Sequence, residues 1–98
     1  MKKNILVVDD ESSIRESLSG ILRDEGYDVS VATDGVTALK RVEEDPPDLI
    51  FLDIVMPGID GLETLQKLKE RFPEIYVIII SAYGTIETAV KALKYGAF

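Results

Sequence analysis

The segment Asp48-Leu49-Ile50-Phe51-Leu52-Asp53-Ile54-Val55-Met56-Pro57-Gly58 decides how this chain folds. Four consecutive apolar residues end on an acid, and Met56-Pro57-Gly58 then makes a turn. A short apolar run without alternation reads as a strand covered on both faces, the situation of a parallel sheet packed between helices. Ile5-Leu6-Val7-Val8 before Asp9-Asp10, and Val77-Ile78-Ile79-Ile80 before Ser81, repeat the pattern. Residues 27–32 differ, because Val29 and Val31 alternate with Asp28 and Ser30, as expected of a strand at the edge of a sheet.

Helix-period segments separate these runs. Residues 12–25 place Ile14, Leu18, Ile21 and Leu22 on one stripe, Ser13 with Glu16 fits a capping box, and Gly26 suits the left-handed residue that closes a helix. Asp34 is placed to cap a short helix carrying Ala38, Leu39 and Val42, which Asp45-Pro46-Pro47 breaks. Asp60 is expected to cap the helix lined by Leu62, Leu65, Leu68 and Phe72, and Pro73 ends it. Thr85 reads as the cap of a last stripe, Ile86, Ala89, Val90 and Leu93. Strand and helix alternate throughout, which predicts an α/β doubly wound parallel sheet with helices on both faces.

Composition narrows the chemistry. Ninety-eight residues make one domain, and 46% apolar residues are ample for a core. Eleven Lys plus Arg against 18 Asp plus Glu leave a charge of −7, which argues against nucleic-acid binding, since phosphate backbones demand a basic face. With neither Cys nor His, thiolate chemistry, imidazole bases and zinc sites drop out. Met1-Lys2-Lys3-Asn4 leads into only four apolar residues before Asp9, far short of a signal peptide core or a membrane span, so a soluble cytoplasmic protein is expected.

In a parallel sheet all strands point one way, so the residues that end them gather along one edge. Here those residues are Asp9 and Asp10, Asp53 and Ser81. Two carboxylates about 5 Å apart repel by roughly 3 kcal/mol at an effective dielectric near 20, and a proton or a cation must relieve this. Hard oxygen ligands without His or Cys suit Mg²⁺, with Mn²⁺ as the alternative. A carboxylate beside a metal and a hydroxyl suits in-line attack on a phosphoryl group. Asp53 stands alone at its strand end and is the best nucleophile, Asp9 and Asp10 read as metal holders, and Ser81 can donate to a phosphoryl oxygen. Asp34 and Asp60 read as caps, and a capping role for Asp9 or Asp10 is set aside because Ser12 and Ser13 fill it. Phosphate-binding loops of the G-x-x-x-x-G-K-[ST] or G-x-G-x-x-G type are absent.

Taken together, residues 5–11, 48–61 and 78–82 make the chain resemble the receiver domain of a two-component response regulator. The resemblance implies a flavodoxin-like, CheY-like sheet of order 2-1-3-4 with a fifth strand and helix to follow. It implies that Asp53 is the phosphoacceptor, and that Asp10, Asp53 and the Val55 carbonyl ligate Mg²⁺, with Asp9 acting through water. Ser81 matches the switch hydroxyl and Ala82 the small residue beside it. The phosphoryl donor would be a sensor histidine kinase, and phosphorylation would switch partner binding or an output domain that controls transcription. Residues 81–98 are similar to receivers of the nitrogen-regulation type, in which Tyr83 would sit in the loop that shifts.

The family carries a Lys after its fifth strand and an aromatic switch residue before it, and both positions fall beyond Phe98; Lys91 and Lys94 match neither. The apolar run 77–80 likewise asks for a further paired strand. The expectation is therefore a receiver domain over residues 1–98 that is incomplete at its C-terminus, with weak switching and association through the fourth strand, a homodimer included. Two rivals remain: a phosphohydrolase with Asp9 as nucleophile and Glu11 as acid, and an interaction module that works without phosphorylation.

Overall fold

A computed structural model describes residues 3–53 and 61–80. Its elements run β1 (Asn4–Val8), α1 (Ser12–Asp24), β2 (Asp28–Ala32), α2 (Gly35–Glu44), β3 (Leu49–Asp53), α3 (Gly61–Arg71) and β4 (Tyr76–Ile80). The strands form one parallel sheet, as the alternation of apolar runs and helix stripes predicts, and its order β2-β1-β3-β4 is the one the receiver resemblance implies. The β2 strand is an edge, and its burial alternates along Asp28–Ala32, because only one face of an edge meets the core.

The register divides the apolar residues between two faces. Leu6, Val8, Ala32, Ile50, Leu52 and Val77 share one face and pack with Ala38 and Val42 of α2 and Leu65 and Leu68 of α3. Nearly all of these are fully buried, so this is the closed core. The other face carries Ile5, Val7, Phe51 and Ile80, and α1 packs over its β1 and β2 side. Ile5 and Val7 are buried, whereas Leu49, Phe51, Ile78 and Ile80 are only half-buried and Tyr76 is exposed. Among the described residues the sheet is thus sealed on one side and incompletely covered over β3 and β4 on the other.

Local chemistry sets the boundaries. Asp48 accepts from the Asn4 backbone N–H at 2.8 Å, and its own N–H donates to the Asn4 carbonyl at 2.8 Å, which aligns the starts of β1 and β3. The chain leaves α1 through Gly26 at φ 95°, where Gly26 N–H donates to the Arg23 carbonyl and Tyr27 N–H to that of Leu22, the paired bonds of a Schellman closure. The Asp34 carboxylate accepts from Thr37 N–H at 2.8 Å and caps α2 as expected. That backbone bond is the main cause holding its pKa below the ordinary carboxylate value. Lys69 donates to the carbonyls of Pro73 and Ile75, tying the end of α3 to the turn into β4. An exposed Arg71–Glu43 ion pair links α3 to α2.

One expectation for α1 needs correction. Its N-cap is Glu11, which makes no side-chain capping bond, so the Ser13–Glu16 box does not form and Ser12 already lies inside the helix. The cause is Asp9, whose carboxylate accepts the Glu11 N–H at 2.9 Å and thereby serves the end of the helix from two residues upstream. Of the expected stripe, Ile14, Leu18 and Ile21 line an open apolar cavity with Ile80 of β4, on the incompletely covered face of the sheet. Ser19 is the buried residue of α1, Ile14, Leu18 and Leu22 are half-buried around it, and Ile21 is 61% exposed. The turn at residues 56–58, the Asp60 cap and the Thr85 helix lie outside the described residues.

Candidate metal and phosphoacceptor site

Parallel pairing brings the carboxyl ends of β1 and β3 together. Val8 pairs with Leu52, so the next residues, Asp9 and Asp53, emerge side by side, and Asp53 lies beside Ile80 at the end of β4. Asp9 and Asp53 are buried, at 2% and 8% exposure, while Asp10 is exposed. One carboxylate oxygen from each of Asp9, Asp10 and Asp53 lies within 4.8 Å of the others. The three strand-end carboxylates singled out from the sequence therefore do converge. Ser81, Ala82 and the Val55 carbonyl lie outside the described residues.

Asp9 is held on several sides. Its N–H donates to the Ala32 carbonyl at 3.2 Å, its Oδ1 accepts from Glu11 N–H, and its carbonyl accepts from Arg15 Nη1 at 2.8 Å. The capping role set aside for Asp9 is thus partly real, and it coexists with membership of the acidic group. Arg15 was not legible as a site residue from motif spacing, but a signal existed. It occupies the first turn of a helix with no acid there, where the positive end of the helix dipole disfavours a cation unless an acceptor lies nearby.

An all-carboxylate cluster, two-thirds buried, fits a hard divalent cation of the Mg²⁺ class and offers nothing to a soft one. A parallel sheet of order 2-1-3-4, with such a cluster at the carboxyl ends of its central strands, is the arrangement of a receiver-type domain.

Comparison with known proteins agrees. Residues 5–98 match the response regulator receiver domain, and the chain belongs to that family. It is 48% identical over 97 residues to a putative NtrX-like response regulator of Rickettsia typhi, covering 97% of this chain and 20% of that protein. It is 48% identical over 100 residues to the nitrogen assimilation regulatory protein NtrX of Azorhizobium caulinodans, covering 100% of this chain and 22% of that one. The crystal structure of the receiver domain of NtrX from Brucella abortus superposes with a TM-score of 0.91 at 47% identity, over 96% of this chain and 80% of that one. The chain spans about a fifth of the length of the curated relatives it matches. Family membership favours the receiver reading over the phosphohydrolase, and Glu11, whose N–H bonds Asp9, stands as the N-cap of α1. Among the described residues no helix is long and apolar enough to cross a membrane.

Proposed function

We propose that this domain accepts a phosphoryl group on Asp53 and works as the input switch of a two-component regulator. The observation that supports this most strongly is the meeting of Asp9, Asp10 and Asp53 within 4.8 Å in a chain of the receiver family. A carboxylate oxygen of Asp53 attacks the phosphorus of a phosphohistidine on a sensor kinase, the P–N bond breaks, and the imidazole leaves with a proton taken from solvent. Asp10 and Asp53, with the Val55 carbonyl, would hold Mg²⁺ directly and Asp9 would hold it through water; Mn²⁺ would fit the same oxygens. When bound, the ion supplies charge that stabilises the transferring phosphoryl oxygens. Ser81 donates to a phosphoryl oxygen, and Ala82 leaves it room to move.

The chain turns over no external substrate beyond its own phosphorylation and dephosphorylation. In the cytoplasm, the phosphorylated domain would alter an attached output domain or a regulatory partner, of the kind that the names of the NtrX relatives indicate. It would bind no nucleic acid itself, given its charge of −7.

Incubation with acetyl phosphate and Mg²⁺, followed by intact-mass measurement, tests it. One phosphoryl adduct on the parent, lost in Asp53→Asn and lost on chelation of the metal, is expected. An adduct retained in Asp53→Asn, or none on the parent, would refute the assignment.

A further inference from the structure

We propose that Arg15 is the positioning residue of the carboxylate site: by bonding the Asp9 carbonyl it holds the Asp9–Asp10 peptide in the orientation that aims Asp10 at Asp53, and so sets the affinity for the divalent cation. The inference rests on the metal site described under Proposed function.

The physical reason lies in which atom Arg15 holds. The Asp9 carbonyl belongs to the peptide plane that joins Asp9 to Asp10, and that plane is rigid. Fixing the direction of its C=O fixes ψ of Asp9 and φ of Asp10 together, and these decide where the Asp10 side chain points. Asp9 itself is secured on its other sides by the Ala32 carbonyl and the Glu11 N–H. Asp10 is the exposed member of the cluster, and of the three carboxylates it depends most on the backbone for its place. Arg15 is half-buried and its Nη1 lies 2.8 Å from the Asp9 carbonyl oxygen, a charge-assisted bond shielded in part from water. Its position in the first turn of α1, where the dipole opposes a cation, is accounted for by this contact.

Positioning and charge act on a cation in opposite directions. A guanidinium acting only through its charge would repel Mg²⁺, so removing it would tighten binding; a guanidinium that positions Asp10 would weaken binding when removed. Mg²⁺ alone is the probe, titrated by calorimetry into the parent, Arg15→Met, Arg15→Lys and Asp10→Asn, with circular dichroism recording the fold of each without metal. Outer partners of metal sites typically govern affinity by about 10–100-fold, so a loss of about tenfold or more is expected in Arg15→Met. Arg15→Lys, which keeps a cationic donor near the same reach, recovers most of it. Arg15→Gln is too short to span the contact and should match Arg15→Met, which keeps the test decisive if Arg15→Met does not fold.

Equal or tighter Mg²⁺ binding in a folded Arg15→Met or Arg15→Gln would overturn the proposal, and so would failure of Arg15→Lys to recover any affinity. A change in thermal midpoint without a change in affinity would show a merely structural arginine and overturn it too. Failure of the parent to bind Mg²⁺, or unaltered binding in Asp10→Asn, would instead strike at the metal site itself.

Discussion

Replacing Asp10 by Asn should make the metal-free protein more stable while removing most of its response to Mg²⁺. The carboxylate oxygens of the cluster lie within 4.8 Å of one another. At that separation a pair of unit charges repels by about 0.9 kcal/mol in water and about 3.5 kcal/mol at an effective dielectric near 20. Asp10 is exposed, so the lower figure applies to its contacts with both Asp9 and Asp53. Its freedom to swing outward relieves part of the repulsion, which leaves a net cost of about 1 kcal/mol in the metal-free fold. For a domain of this size 1 kcal/mol moves the thermal midpoint by about 4–8 °C. The parent should gain about 1.4 kcal/mol from Mg²⁺ at ten times its dissociation constant, and the variant less than half of that at the same concentration. Thermal denaturation followed by circular dichroism, with and without chelator, measures both quantities. A metal-free midpoint in Asp10→Asn at or below that of the parent, or an undiminished Mg²⁺ shift, would refute the reasoning.

Three further substitutions probe the frame that carries the site. Asp34→Ala removes the cap of α2 and should cost about 1 kcal/mol near neutral pH. Because the Thr37 N–H lowers the folded-state pKa of Asp34, its contribution is complete above the unfolded value of about 3.9 and is lost as pH falls through the lower folded value. Parent and variant should therefore converge in strong acid, and a gap in denaturant midpoint that stays constant down through that range would contradict the assignment. Gly26→Ala should destabilise by about 1–2 kcal/mol although nothing lies within 4 Å of the added carbon, since the penalty is purely the left-handed backbone at φ 95°. Gly20→Ala, in the exposed middle of α1 and equally free of neighbours, should stabilise by about 0.5–1 kcal/mol, and equal effects at the two glycines would sink the distinction.

The overall fold was largely legible because parallel-sheet strands announce themselves as short apolar runs, and Gly26, Asp34 and the prolines punctuate the helices between them. The edge position of β2 followed, since alternation of Val29 and Val31 with polar residues fits a half-covered strand, whereas the order of the strands was what the receiver resemblance implied. Local reading failed at the start of α1: Ser13 and Glu16 have the spacing of a capping box, but the helix begins one residue before Ser13, with Glu11 as N-cap and its N–H bonded to the Asp9 carboxylate. Ile21 sits on the apolar stripe by periodicity and lines a cavity with Ile14, Leu18 and Ile80, yet it is 61% exposed because that cavity is open.

From the order of its residues alone, this chain had already settled which side chains end its strands, and a sheet whose strands all run the same way must collect those ends on one edge. Tertiary structure had to decide how close the carboxylates come and what holds them there. The β1–β3 register puts Asp9 beside Asp53, and the turn from β1 into α1 brings Arg15 to the Asp9 carbonyl. Strand ends are a consequence of chain direction, which is written locally; distances between them depend on pairing and packing, which no local pattern contains.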